Sequence, residues 1–116
     1  PAAAAHVTDG YAESGGGRFH YATLGNPQDP PVLMIHGFPD YWYSWRALMG
    51  DLSRDHFTIA IDQRGYNLSD HPAGEQNYQL KYLVGDVAAV LLIAIRTYRL
   101  IFHPDQMHDP KIKTVE

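Results

Sequence analysis

At 116 residues, with 45% hydrophobic and 19% charged residues, the chain has the length and composition of a single folded domain, not of a disordered segment. A formal net charge of −4 and a pI near 5.9 argue against nucleic acid or an anionic membrane surface as its main partner. It holds no cysteine, which excludes disulfides, a thiolate nucleophile and a cysteine-based zinc site, and fits a reducing, cytoplasmic setting.

Pro1 to Ala5 lacks the basic start and long apolar core of a signal peptide and reads as a disordered arm. His6 to Glu13 and Arg18 to Leu24 are strand-like, and the break at Ser14-Gly15-Gly16-Gly17 predicts a β-hairpin. From Arg18 to Thr23, aromatic and β-branched residues alternate with mostly polar ones, so one face can be buried. The glycine triplet lacks the Lys-Ser/Thr ending of a phosphate loop and no helical pattern follows it, so it reads as a flexible turn. Gly25 to Pro31 is a loop by composition.

Val32-Leu33-Met34-Ile35 is an uncharged apolar run, as expected of a strand buried on both faces in a parallel sheet covered by helices. It stops at His36-Gly37-Phe38-Pro39. Gly37 permits a turn that other residues resist, and Pro39 fixes φ and withholds its N–H. The result is a stiff loop at the carboxyl end of a strand, where open α/β sheets do their chemistry.

Trp45, Leu48, Met49 and Leu52 repeat at i, i+3, i+4 and i+7, predicting a helix over Ser44 to Arg54 with Ser44 as N-cap. Tyr41, Trp42 and Tyr43 either line a pocket or pack this helix on the sheet, which leaves Trp42 a pocket candidate. His56 to Ile61 reads as the next strand, ending in Asp62-Gln63-Arg64-Gly65-Tyr66-Asn67-Leu68-Ser69-Asp70. In that run Asp62, Arg64 and Asp70 can tie the loop together by charge-assisted hydrogen bonds, and Asn67 tolerates left-handed geometry. After a polar loop over His71 to Asn77, Leu80, Leu83, Val84, Val87, Val90, Leu91 and Ala94 predict a helix over about 79–95. Gly85 within it costs about 1 kcal/mol relative to Ala, which suggests close approach to the sheet. The apolar run from Val87 to Ile95 is short of the roughly 20 residues that span a bilayer.

The stretch His36-Gly37-Phe38-Pro39-Asp40-Tyr41-Trp42-Tyr43-Ser44-Trp45-Arg46 resembles the segment after the third strand of α/β-hydrolases. Its form points to the epoxide hydrolase branch. Asp62 to Asp70 resembles the run after the fourth strand of that family, and Leu80 to Leu91 the helix that precedes its nucleophile strand. The resemblance covers about His6 to Leu92, in family order. It implies an α/β fold: an antiparallel amino-terminal hairpin, then parallel strands joined by helices, as part of an α/β-hydrolase sheet. It implies that the Phe38 backbone N–H helps form an oxyanion hole, where one donor is worth roughly 3–4 kcal/mol. It implies a motif and scaffold role for His36, Gly37, Pro39, Asp62, Arg64 and Gly65, and suggests a cis Phe38–Pro39 bond. A small epoxide is the substrate class it implies. No cofactor and no metal is expected.

A complete α/β-hydrolase is more than twice as long, and the pattern breaks after the last helix. No G-x-S-x-G or G-x-D-x-G elbow occurs. Tyr98 to Phe102 could form a strand, which would put Asp105 about where the family places its nucleophilic Asp. His103 and Met107 replace both elbow glycines, and Pro104 restricts the residue before it, so Asp105 is only a weak candidate. The cap, the second acid and the catalytic His have no counterpart. His103, Asp105, His108 and Asp109 match no standard zinc spacing. Residues 93–116 therefore read as a diverged tail on one truncated domain, or as an unrelated end.

Such a half-sheet exposes an edge and helix faces, and so short a chain buries only about two thirds of its unfolded surface. Self-association as a homo-oligomer, or a partner chain, is the expectation. Two functions stay open: an epoxide-hydrolase-like fragment not competent alone, and an interaction or complementation module acting through the open edge.

Overall fold

A computed structural model of the chain describes residues 6–102, with side chains described as far as Arg96. Two strands open the fold, β1 (Thr8–Ser14) and β2 (Gly17–Leu24), paired antiparallel with Ser14 opposite Gly17. Gly15 and Gly16 both have positive φ, the backbone of a two-residue primed turn that matches the twist of its strands. The predicted hairpin is present, with Gly17 drawn into β2.

Next come β3 (Pro31–Ile35), a 3₁₀ turn at Trp42–Trp45, the helix α1 (Arg46–Leu52) and β4 (Phe57–Ile61). The helix α2 (Leu80–Phe102) closes the described chain. The sheet order is β1-β2-β4-β3, with β3 parallel and β2 antiparallel to β4. This is the expected mixed α/β sheet.

The side-chain period of two sorts the strand residues between two layers. Ala12, Tyr21, Phe57, Ile59 and Ile61 pack with Val90 and Ala94 of α2, with Leu33 at the margin. Ala22, Met34 and Ala60 pack on the other face with Met49 of α1, joined by Trp42, Trp45 and Leu52.

Three expectations are corrected. The strand buried on both faces is β4, every residue of which is buried, whereas β3 is the edge of the described sheet and Ile35 is 45% exposed. Both strands are continuous apolar runs, and strand order decides which of them is central among the described residues. Ser44 does not cap α1. It sits inside the 3₁₀ turn, its hydroxyl donating to the Tyr41 carbonyl at 3.2 Å, and α1 starts only at Arg46. Thirdly, Tyr98 to Phe102 is helical, the last turn of α2, and not a strand. No proline or glycine interrupts the chain between Gly85 and Pro104, so nothing local stops the helix earlier.

Gly85 has room for a side chain: a Cβ there would lie 3.8 Å from the Ser14 hydroxyl, an ordinary contact. Close approach does not explain it.

Candidate active-site loop

Because β3 and β4 run parallel with Ile35 opposite Ile61, their exit loops leave the same end of the sheet. One residue pair, His36 and Gln63, joins them. The Gln63 N–H donates to His36 Nε2 at 3.0 Å, and the Gln63 side-chain amide donates to the His36 carbonyl at 2.6 Å. A backbone N–H can only donate, so Nε2 is the acceptor and the ring proton sits on Nδ1, which donates to the Gly37 carbonyl at 2.8 Å. His36 is buried and its ring meets the edge of Tyr66 at 4.9 Å. The turn that follows is thus held at its base, with the Phe38–Pro39 peptide bond cis. The Phe38 side chain stands 87% exposed at this end of the sheet, 6.4 Å from the Tyr66 ring.

Asp62 sits directly after β4 and is fully buried. Its Oδ1 accepts the Trp42 N–H at 2.8 Å; its Oδ2 accepts from His20 Nδ1 at 2.7 Å and from the Asn67 side-chain amide at 2.9 Å. Both oxygens are occupied, so Asp62 has no access for acid–base work and acts as a fastener. It fixes the start of the Trp42 turn and the left-handed Asn67, φ 47°, from one point. Burial pushes the Asp62 carboxyl up, but the hydrogen bonds from His20, the Trp42 amide and Asn67 outweigh it and hold the group below its ordinary range.

His20, on β2, is the residue that reading the sequence passed over. It is fully buried, and its Nε2 reaches Asp9 of β1 at 2.6 Å while Nδ1 reaches Asp62. Two carboxylates on two ring nitrogens require both to donate, which is the imidazolium. Burial pulls its pKa down; the hydrogen bonds and charges of Asp62 and Asp9 more than reverse this and raise it. The available signal was position: a histidine between Phe19 and Tyr21 in a strand flanked on both sides must find partners.

Arg64 points the other way. Its Nε and Nη2 form a fork on Asp86 of α2 at 2.6 and 2.8 Å, and Nη1 donates to the Asn77 carbonyl at 2.6 Å. Gly65, φ 86°, packs under Tyr78, whose ring carbon would lie 2.9 Å from an added Cβ. Asp70 accepts the Arg18 N–H at 2.8 Å. Asp62, Arg64 and Asp70 therefore do not bond to one another; each ties the loop to a different element. Trp42 is half-buried against the α1-side core, its ring edge-on to His20 with centroids 6.3 Å apart.

The structure thus gathers His36, Gly37, Phe38, Pro39, Asp62 and Trp42 at one end of the sheet. Asp105 and the His103, His108 and Asp109 cluster lie outside the described residues. Among the described residues no group of three metal-ligating side chains is present, and no helix is long and apolar enough to cross a membrane.

Residues 30–97 match the alpha/beta hydrolase fold. The chain belongs to that family. Within it, the chain is epoxide-hydrolase-like: it is 45% identical over 74 residues to Epoxide hydrolase 1 of Caenorhabditis elegans, covering 64% of this chain and 18% of that protein. It is 43% identical over 79 residues to Epoxide hydrolase B of Mycobacterium tuberculosis, covering 66% and 22%. Epoxide hydrolase VrEH1 of Vigna radiata, a solved structure, superposes with a TM-score of 0.70 at 36% identity, covering 76% of this chain and 27% of that one. This α/β-hydrolase chain therefore spans about a fifth of the curated relatives it matches.

Proposed function

We propose that this chain is the oxyanion-loop portion of an epoxide hydrolase, and that as 116 residues it does not turn over epoxide. The observation that carries the reading is the His36–Gln63 tie, which holds the Gly37–Phe38–Pro39 turn at the carboxyl end of β3. A backbone N–H held at such a turn suits a developing oxyanion because it needs no reorganisation as charge forms. In that chemistry a carboxylate attacks an epoxide carbon, the C–O bond breaks, and a base-activated water then cleaves the ester to a diol. The Phe38 N–H would serve the oxyanion of the second step. In support of that reading, Asp62 is sealed, and His36 and His20 are engaged at both ring nitrogens.

The test is hydrolysis of styrene oxide by the purified chain. No turnover above buffer is expected. Turnover that disappears in Asp105→Asn would reverse the reading and make Asp105 the nucleophile.

A second reading, that the chain works by pairing its open sheet edge with another polypeptide, is favoured by one observation: β3 ends the described sheet with Ile35 exposed.

A further inference from the structure

We infer that the His20 imidazolium is a proton-operated latch on the sheet edge: when its Nε2 proton leaves, residues 8–10 at the start of β1 are released. The Asp62 side of the same ring keeps its bond, so the loops after β3 and β4 stay set.

The geometry follows from the hairpin register. Asp9 stands opposite Ala22, which makes it the diagonal neighbour of His20 on the same face of the sheet. That placement brings Asp9 Oδ1 to 2.6 Å from Nε2, while Asp62 Oδ2 lies 2.7 Å from Nδ1. A ring with two protons donates to both carboxylates. A ring with one proton donates to one of them and turns a lone pair on the other. A lone pair facing a carboxylate at such a distance is repulsive, so one carboxylate must move.

Exposure decides which one moves. The Asp62 side chain is 0% exposed, and the Asp9 side chain is 62% exposed. A carboxylate stranded in the interior costs far more than one returned to water. Nδ1 therefore keeps its proton and Asp62, and the Nε2 proton passes to water beside Asp9. An imidazolium between two carboxylates becomes a neutral ring bonded to one.

Among the described residues, Asp9 and Tyr11 face the ring from β1, Asp62 from the β4 exit, and the Trp42 ring edge from the turn before α1. Arg18 of β2 stands behind Tyr11, 4.2 Å from its ring centroid, with Glu13 opposite Arg18 in the register. Burial pulls the pKa of the ring down, and the bonds to Asp62 and Asp9 more than reverse this. Release therefore falls above the ordinary histidine value of about 6.5.

What stays fixed is as specific as what moves. Asp62 still accepts the Trp42 N–H and the Asn67 side-chain amide. β1 is an edge strand of the described sheet, paired only with β2. Releasing residues 8–10 uncovers residues 21–23 of β2, their partners in the register, and leaves the His36–Gln63 tie in place.

The test is a pH titration of the full chain from pH 5 to 10, followed by NMR. Ring nitrogen shifts should show both His20 nitrogens protonated at the acid end and only Nε2 deprotonated at the alkaline end. A ring that stays doubly protonated throughout, or gives up Nδ1 first, overturns the inference. Amide exchange is read in parallel, relative to the intrinsic rate at each pH. Protection at residues 8–10 should fall about tenfold to a hundredfold across the His20 transition, as for loss of one hydrogen bond to a charged group. The Trp42 N–H should keep its protection, and a uniform loss that includes it overturns the inference. Asp9→Asn supplies the matching control. An amide accepts from the protonated ring and donates to the neutral one, so the bond survives in both states. In that variant the pH step at residues 8–10 should vanish and His20 should titrate at lower pH. A step that persists overturns the inference. The nitrogen shifts of the unsubstituted chain decide the matter even where the variant does not fold.

Discussion

His20 is a positive charge held between two carboxylates in the middle of a sheet, and it connects β1, β2 and the loops after β3 and β4. Asp9 and Asp62 face it directly; Tyr11 lies 5.3 Å away and Trp42 on the other side, while Arg18 covers Tyr11 at 4.2 Å. Because its folded pKa is raised, His20 contributes stability that is fully present below its unfolded value, about 6.5, and is lost as pH rises through the folded value. The folded pKa of Asp62 is lowered, so its contribution is present above the ordinary carboxylate range and lost as pH falls through the folded value. Stability should therefore peak at mildly acidic pH. Urea unfolding from pH 3 to 9 reads this, and His20→Gln should flatten the alkaline limb. An alkaline limb of equal depth in that variant would remove His20 from the account.

At the level of elements, the pair Arg64–Asp86 joins the β4 exit to α2 with 4% and 2% of the two side chains exposed. Breaking one partner strands a buried charge, so Asp86→Asn should cost about 3–5 kcal/mol in urea unfolding. Arg64→Met/Asp86→Leu should recover most of that, because neither charge is then left behind. The same helix carries Gly85 with space for a methyl group, so Gly85→Ala should stabilise by up to about 1 kcal/mol. A thermal melt shifted downward would mean that the neighbouring Ser14 cannot yield. The contrast between β3 and β4 belongs here as well. Both are short apolar runs in the sequence, and only the strand order made one of them central and the other an edge.

Across the whole molecule, large apolar side chains remain in water: Phe38, Leu68, Leu80, Val84 and Leu92 are each more than half exposed. Full burial of one such side chain contributes about 1.5–3 kcal/mol. A chain that forgoes several of these should unfold with about 5 kcal/mol or less, at the bottom of the range for domains. Urea titration followed by tryptophan fluorescence checks this. A value well above that would mean the exposed flank is covered in solution.

The sequence by itself determined the local elements and the kinship. The glycine-rich hairpin, the two apolar runs, the periodic helix from Leu80 and the His-Gly-Phe-Pro turn depend on spacing and on turn chemistry that neighbouring residues dictate. Tertiary structure alone decided the rest. Which run is central depends on sheet order. The His20–Asp62 and Arg64–Asp86 pairs join residues 42 and 22 positions apart in the chain, and no short-range pattern records contacts at that distance. The strand reading of Tyr98 to Phe102 gave way to the last turn of α2, where no proline or glycine breaks the helix.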